Sequence, residues 1–190
     1  MNPLTHYMVG WVGLERLQPT MRDKTLVALA GIAPDLDGLG IVVDFASRQL
    51  GLAETNFYQA YHRVYGHGLP AALVISAVAA ALGERRAFVA LWAFISVHLH
   101  FICDILGSRG ASPDDIWPIW YLAPFTTKVQ IEWLGQWELI SWQNTTISVI
   151  LMAILLWRAA RQGYSPVGAL SKRADQVLVA TLRKWMRPVL

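Results

Sequence analysis

Apolar residues fall in runs along the chain, and the runs are separated by short polar connections. The longest covers residues 87–106, AFVALWAFISVHLHFICDIL, with no Lys, Arg or Glu and with Asp104 as its only formal charge. As a helix it would be about 30 Å long, enough to cross the hydrocarbon of a bilayer. Shorter apolar helices are expected over 5–17, with Thr5 as N-cap and His6 in the first turn, over 25–33, stopped by Pro34, and over 69–83. Residues 41–52 read as a moderately amphipathic helix. Residues 145–157 read as a last strongly apolar helix, beginning as early as Leu139. From Ser165 the tail reads as a basic amphipathic helix. Leu170, Ala174, Val177, Leu178, Thr181 and Trp185 mark one face, and Lys172, Arg173, Arg183, Lys184 and Arg187 surround the other. The segments 5–14, 25–33 and 69–83 are short for a full crossing and imply tilted, partly inserted or shielded helices.

The composition moves this pattern towards the membrane class. Hydrophobic residues make up 55% of the 190 and charged residues 15%, with a mean hydropathy of +0.38. One cysteine, Cys103, excludes an intramolecular disulfide and reads as a buried bystander in an apolar run. The first residues lack a basic n-region, so no cleavable signal peptide is expected. The expected architecture is all-α: a membrane-embedded helical bundle over 1–160, followed by the basic amphipathic tail helix over 165–190. Interleaved Trp, Tyr and Phe residues over 117–142 suggest either an interfacial aromatic belt or a substrate-lining wall.

Charge gives the bundle a direction. Folding the apolar segments as alternating hairpins puts Arg16, Arg22, Lys24, Arg85, Arg86, Arg158, Arg161, Lys172, Arg173, Arg183, Lys184 and Arg187 on one side. Only Arg48, Arg63, Arg109 and Lys128 fall on the other. The positive-inside rule makes the first side cytoplasmic, which predicts a multi-pass inner-membrane protein with a cytoplasmic tail. Basic residues gathered there argue against nucleic acid as a partner and for membrane lipids. The same partition puts His6, Asp35, Asp37, His62, His67, His100 and Asp104 together towards the opposite face.

That collection carries the chemistry. A carboxylate in apolar surroundings must be paired, protonated or bound to a cation. His100 and Asp104 are four apart and share a helix face. Asp35 and Asp37 sit in Pro34-Asp-Leu-Asp-Gly38 just after a helix stop, and His62 and His67 flank a glycine turn. Imidazole and carboxylate suit divalent metals, with zinc first and manganese or iron as alternatives, and the number of ligands allows one or two ions. His98 lies about 200° around the helix from His100 and reads as structural. Asp37 reads as a ligand, a general base or an orienting carboxylate, and Arg63 as the partner of a phosphate oxygen. Asp114 and Asp115 read as caps of the segment that follows.

Taken in order, Thr5-His6, then PDLD, then His62-Arg63-x3-His67, then His100-x3-Asp104, then Trp117-Pro118, the motifs resemble the YdjM-type family of membrane-bound, predicted metal-dependent hydrolases. The third motif of that family commonly reads H-R-G-x-T-H-S. Here both His and the Arg match, while the Gly, Thr and Ser are replaced. The resemblance covers about residues 1–125 and leaves out the tail. The family is distantly similar to zinc-dependent phospholipase C enzymes, which implies hydrolysis of a phosphoester or other ester through metal-activated water. Position alone suggests a small amphiphilic or lipid substrate. A non-catalytic ion carrier or sensor, or a membrane protein with a vestigial site, uses the same ligands and remains the alternative.

Overall fold

The computed structural model describes residues 1–14, 17 and 19–186. The connection residues Glu15, Arg16 and Gln18 and the tail residue Arg187 lie outside them. Among the described residues the regular structure is helical apart from one pair of two-residue strands. Helix α1, Pro3–Gly13, starts one turn earlier than Thr5 suggests. Asn2 is the N-cap, accepting from the Thr5 amide at 2.9 Å, because Pro3 at the first helical position has no N–H to satisfy. Helix α2, Met21–Ala30, is capped by Thr20 and followed by a tight 3-10 segment, Ala33–Leu39, that carries Asp35 and Asp37. Then come α3, Gly40–Gln49, and the short α4, Phe57–Tyr61. The apolar pair α5, Leu69–Leu82, and α6, Arg86–Gly107, form a hairpin.

Strands β1, Ile119–Trp120, and β2, Gln130–Ile131, pair antiparallel. They occupy the region where Asp114 and Asp115 were expected to cap a helix. No helix follows, and Asp115 instead accepts from the Trp117 indole N–H at 3.0 Å. Helix α7, Trp142–Gln162, begins after Leu139, where Ser141 caps the Asn144 amide, and ends at Gly163 with φ 85°. The tail forms a short turn, Pro166–Ala169, and then α8, Lys172–Met186. The turn delays the helix because Asp175 accepts from both the amide and hydroxyl of Ser165.

The core lies between α2, α5 and α6. Val27, Ala72, Ala79, Val89, Ala93, Val97 and Phe101 pack there, and the alanines let the helices approach closely. A second cluster joins α1 to α7 through Met8, Trp11 and Leu155. Around this core the surface is apolar: Leu73, Val74 and Val78 of α5, Leu91 and Ile102 of α6, and Val149 and Ile150 of α7 are all exposed. Only 22% of the most apolar window of α7 is covered by protein, so its remaining faces require lipid. Among the described residues two helices, α6 and α7, are long and apolar enough to cross a membrane, or three spans if the bent unit of α2 with residues 33–49 is one.

The apolar stripe of the tail is divided: Leu182 is buried against Ala159 and Ala160 of α7 with Leu178 packed beside it, while Leu170, Val177 and Trp185 are exposed. A helix turning 100° per residue can present two apolar faces, and periodicity does not say which one meets protein.

The ends of the bundle differ. At one end the Asp23 carboxylate accepts from the amides of Glu84 and Arg85 and closes the α5–α6 hairpin. At the other, Asn144 donates to Gly107 O at 2.8 Å, which ties the start of α7 to the end of α6. The second end holds the histidines and acids.

Candidate metal centre

Close helix contact brings α1, α2 and α6 together at the site. A Cβ on Gly10 or on Gly31 would lie 2.7 Å from Ser96 Oγ, and one on Gly31 would also lie 3.1 Å from His6 O. The missing side chains let His6, Gly31 and His100 meet. His100 Nδ1 lies 2.8 Å from Gly31 O. A carbonyl only accepts, so Nδ1 carries the proton and Nε2 offers a lone pair to the interior.

His67 is set in the same way from the other wall. Its Nδ1 lies 3.2 Å from Asp37 Oδ2, again an acceptor, so its Nε2 also faces inward. The two inward nitrogens are 3.1 Å apart. Two lone pairs at that distance repel unless a proton or a cation lies between them. Asp104 Oδ2 is 3.2 Å from His100 Nε2 and 3.5 Å from His67 Nε2. Asp35 Oδ1 is 3.7 Å and 3.9 Å from the same two atoms. Donors bonded to one ion at about 2.0–2.2 Å in a tetrahedral array sit about 3.3–3.6 Å apart, so these four atoms have the spacing of a shared cage. His6, stacked on His100 at 3.8 Å between ring centroids, puts Nε2 3.3 Å from Asp104 Oδ1. Both nitrogens of His6 and Oδ2 of Asp35 are buried with no hydrogen-bond partner. Buried polar atoms without a protein partner fit a set of metal ligands. The Met1 amino group and Ser108 Oγ also contact Asp104 Oδ1, at 2.5 and 2.9 Å.

Among the described residues two groups could each hold one divalent ion: His6, Asp35, His100 and Asp104, and Asp37, His62 and His67. His67 faces both. In the second group Asp37 Oδ1 meets His62 Nδ1 at 2.9 Å, while Oδ2 meets His67 Nδ1 and the amides of Arg63 and Gly66, each amide at 2.8 Å. Four groups converge on this carboxylate, and they fix the whole turn from His62 to His67. Arg63 sits in the turn with φ 74°, a conformation a non-glycine residue keeps only when its surroundings enforce it. Gly66 is required, since a Cβ there would collide with Pro34 O.

Arg63 is buried, and its guanidinium lies 3.6 Å over the Trp117 ring. Among the described residues no carboxylate lies within ion-pair distance of it. Burial lowers its pKa to about 10, against the attraction of Asp104, so it remains a cation near neutrality. Burial also works against a charge on His67, but hydrogen bonds to Asp104 and Asp37 outweigh it and push the pKa up to about 9. Trp117 is held by Gln136, whose amide donates to Asp104 O, Ile105 O and Trp117 O while its oxygen accepts from the Trp117 amide.

All seven proposed ligands and Arg63 therefore gather at one end of the bundle. His98 points elsewhere, to Phe94 O at 2.8 Å and the Tyr121 hydroxyl at 3.0 Å. Sequence reasoning missed Gly31, whose contribution is a carbonyl that no side-chain pattern announces. It also missed Gln136, and it missed Ser108, although Ser108 follows Asp104 by one helical turn.

A cavity of about 1020 Å³ opens beside the cluster, with Asp35, His62, Arg63, Asp104 and Trp117 in its wall. A second, of about 170 Å³, shares His62 and Arg63 with it.

The model of the family described as YdjM inner membrane protein matches residues 1–178. The chain belongs to that family. The match extends well past residue 125 and takes in α7 and part of α8. Membership and the long apolar helices make this a multi-pass inner-membrane protein. No curated protein and no solved structure matches the chain.

Proposed function

We infer that this YdjM-family protein is a metal-dependent hydrolase that cleaves a phosphoester, or another ester, of an amphiphilic substrate at the membrane. The observation that carries the reading is the pair of inward imidazole nitrogens 3.1 Å apart, each with its other nitrogen committed to an acceptor. Such a pair needs a proton or a cation between its nitrogens, and Asp35, Asp104 and His6 surround it with the further donors that favour a metal ion. Zinc fits this His and carboxylate set, with manganese or iron as alternatives.

A bound divalent ion supplies Lewis acidity towards an ester oxygen and a water acidic enough to attack near neutral pH. The chain's own residues do the rest. His67, His100, Asp35, Asp104 and His6 would hold the ion. Asp37 orients His62 and His67 through their Nδ1 protons, and because its oxygens are already engaged it acts as a positioning residue rather than a base. Arg63, 3.6 Å over the Trp117 ring and without an ion-paired carboxylate among the described residues, is free to bind an anionic ester oxygen. His62, tied to Asp37 through Nδ1, leaves Nε2 for proton exchange in the cavity it lines.

The alternative, an ion carrier, would need polar groups along the length of α6. Val89, Ala93 and Val97 there are fully buried, and the nearby Ser96 is enclosed by Gly10 and Gly31. The basic end, with α8, lies in the cytoplasm in this reading, its exposed Trp185 and Val177 against the leaflet, and the site faces the opposite side. Purified protein loaded with zinc or manganese should hydrolyse a phosphodiester bearing an alkyl chain, and His67→Ala should reduce the rate at least a hundredfold. Undiminished activity in that variant overturns the assignment.

A further inference from the structure

The cavity beside the cluster is larger than ester chemistry needs. At about 1020 Å³ it stands at the top of the range for small-molecule sites. Most of it runs away from the His and Asp residues, between α1 and α7. Leu4 and Met8 form one wall, and Val149, Met152, Ala153 and Leu156 form the other. Each set recurs at three- or four-residue steps, so each is a single helix face. Along α7 the lining extends from Asn144 to Leu156, roughly 18 Å at 1.5 Å per residue. One leaflet of a bilayer's hydrocarbon is about 15 Å deep. The polar end carries Arg63 and the ligand cluster. The small cavity is further lined by Gln59, Asp115 and Trp120, and the indole N–H of Trp120 is buried without a partner. Tyr58, His62, Arg63 and Trp117 border both spaces.

We propose that the α1–α7 groove holds the hydrocarbon chain of the substrate, with its anionic phosphate at Arg63 and a compact polar head in the small cavity. The substrate class is an anionic phosphate amphiphile with a chain of leaflet length. Arg63 supplies the complementary charge, the groove supplies apolar walls of matching length, and the exposed side of α7 lets the chain slide in from the bilayer. Turnover of such a substrate rests on the hydrolase reading, whereas its binding does not.

The test is a binding series on the zinc-loaded protein in nanodiscs. Butyl-, octyl-, dodecyl- and hexadecylphosphonate, which cannot be cleaved as esters, are titrated calorimetrically and the signal of empty discs is subtracted. Affinity should climb with chain length, by up to about fourfold per methylene (about 0.8 kcal/mol each), and level off once the groove is full. Ala153→Trp fills the groove from its α7 wall, and Val149→Phe narrows it at a position that is 62% exposed. Each should cut the dodecyl-to-butyl affinity ratio at least tenfold while elemental analysis shows wild-type zinc content. Wild-type affinities that ignore chain length overturn the proposal, as does an unchanged ratio in both variants. Chain-dependent binding without cleavage of a dodecyl phosphodiester keeps the groove and removes the hydrolase. Cleavage of short esters with equal affinities across the series does the reverse.

Discussion

Metal and proton should compete for His67. In the metal-free protein a proton on this imidazole separates the two nitrogens that face each other at 3.1 Å. Asp35, Asp37, Asp104, His62 and His100 surround it, and the hydrogen bonds to Asp104 and Asp37 prevail over burial, raising its pKa from 6.5 to about 9. Loading an ion must expel that proton. Below pH 9 the apparent affinity therefore falls about tenfold for each unit the pH drops, and the step from pH 8 to pH 6 costs about 2.7 kcal/mol. Stability follows with a definite sign. The folded pKa lies above the unfolded one, so the contribution is complete below pH 6.5 and is lost as pH rises through 9. The rise corresponds to roughly 3 kcal/mol for this fully buried side chain. Metal-free protein should therefore melt at lower temperature at pH 9 than at pH 6.5. The metal-loaded protein should not follow, because the ion replaces the proton. Zinc titrated into metal-free protein at pH 7, in two buffers of different ionisation enthalpy, should release about one proton per ion from this group. A flat affinity between pH 6 and pH 8, with no proton released and a constant metal-free Tm, would refute the argument.

Other consequences are simpler to read. Asp104→Asn keeps the shape of the side chain and removes its charge, so bound metal measured by elemental analysis should fall at least tenfold in the purified protein. Gly31→Ala drives a Cβ to 2.7 Å from Ser96 Oγ and 3.1 Å from His6 O; it should cost about 1–3 kcal/mol in thermal unfolding and lower metal content as well. Arg63→Lys loses the contact with Trp117 and the forked grip on an anion, so KM for a phosphodiester should rise about tenfold or more with metal content unchanged. Single cysteines at Arg86 and Lys172, in a Cys103→Ser background, should react with an impermeant maleimide only from the cytoplasmic side, and one at Ser112 only from the other.

Much of this was legible because the membrane imposes a strict grammar. A long run without charge has few structural options in water or lipid, so α6 and α7 could be read from hydropathy alone. The site was legible for a related reason. Acids in greasy surroundings need partners, and His100 with Asp104 on one helix face named two of them. The errors arose where geometry depends on contacts distant in sequence. Helix α1 starts at Pro3 because Asn2 accepts its amides, and Thr5 instead spends its hydroxyl on Ser148, 2.6 Å away on α7. The loop acids Asp114 and Asp115 looked like caps because periodicity cannot distinguish a helix start from a strand pair two residues long. In α8, hydropathy found the apolar residues but not which of them α7 would cover.

The division of labour between the two aspartates of PDLD follows from where the chain turns. A 3-10 segment advances about 2 Å per residue with three residues per turn, so positions two apart point roughly 120° away from each other. Asp35 therefore faces α6 and offers one oxygen to the His67 and His100 pair while its other oxygen stays bare. Asp37 faces the His62–His67 turn and is consumed by it. The first is arranged to bind something not supplied by the protein, and the second to hold the protein itself in place. Exchanging their roles would need a different backbone, not a different side chain. Asp37→Asn should therefore behave unlike Asp35→Asn. The amide at 37 cannot accept from every donor that converges there, so the turn should loosen and both Arg63 and His67 should shift. Loss of charge at 35 should weaken the ion alone. Amide hydrogen exchange across 62–67, measured on metal-free protein, separates the two. It should accelerate about tenfold or more in Asp37→Asn and stay at the wild-type rate in Asp35→Asn. Equal rates in both variants would mean that the turn is held by something other than this carboxylate.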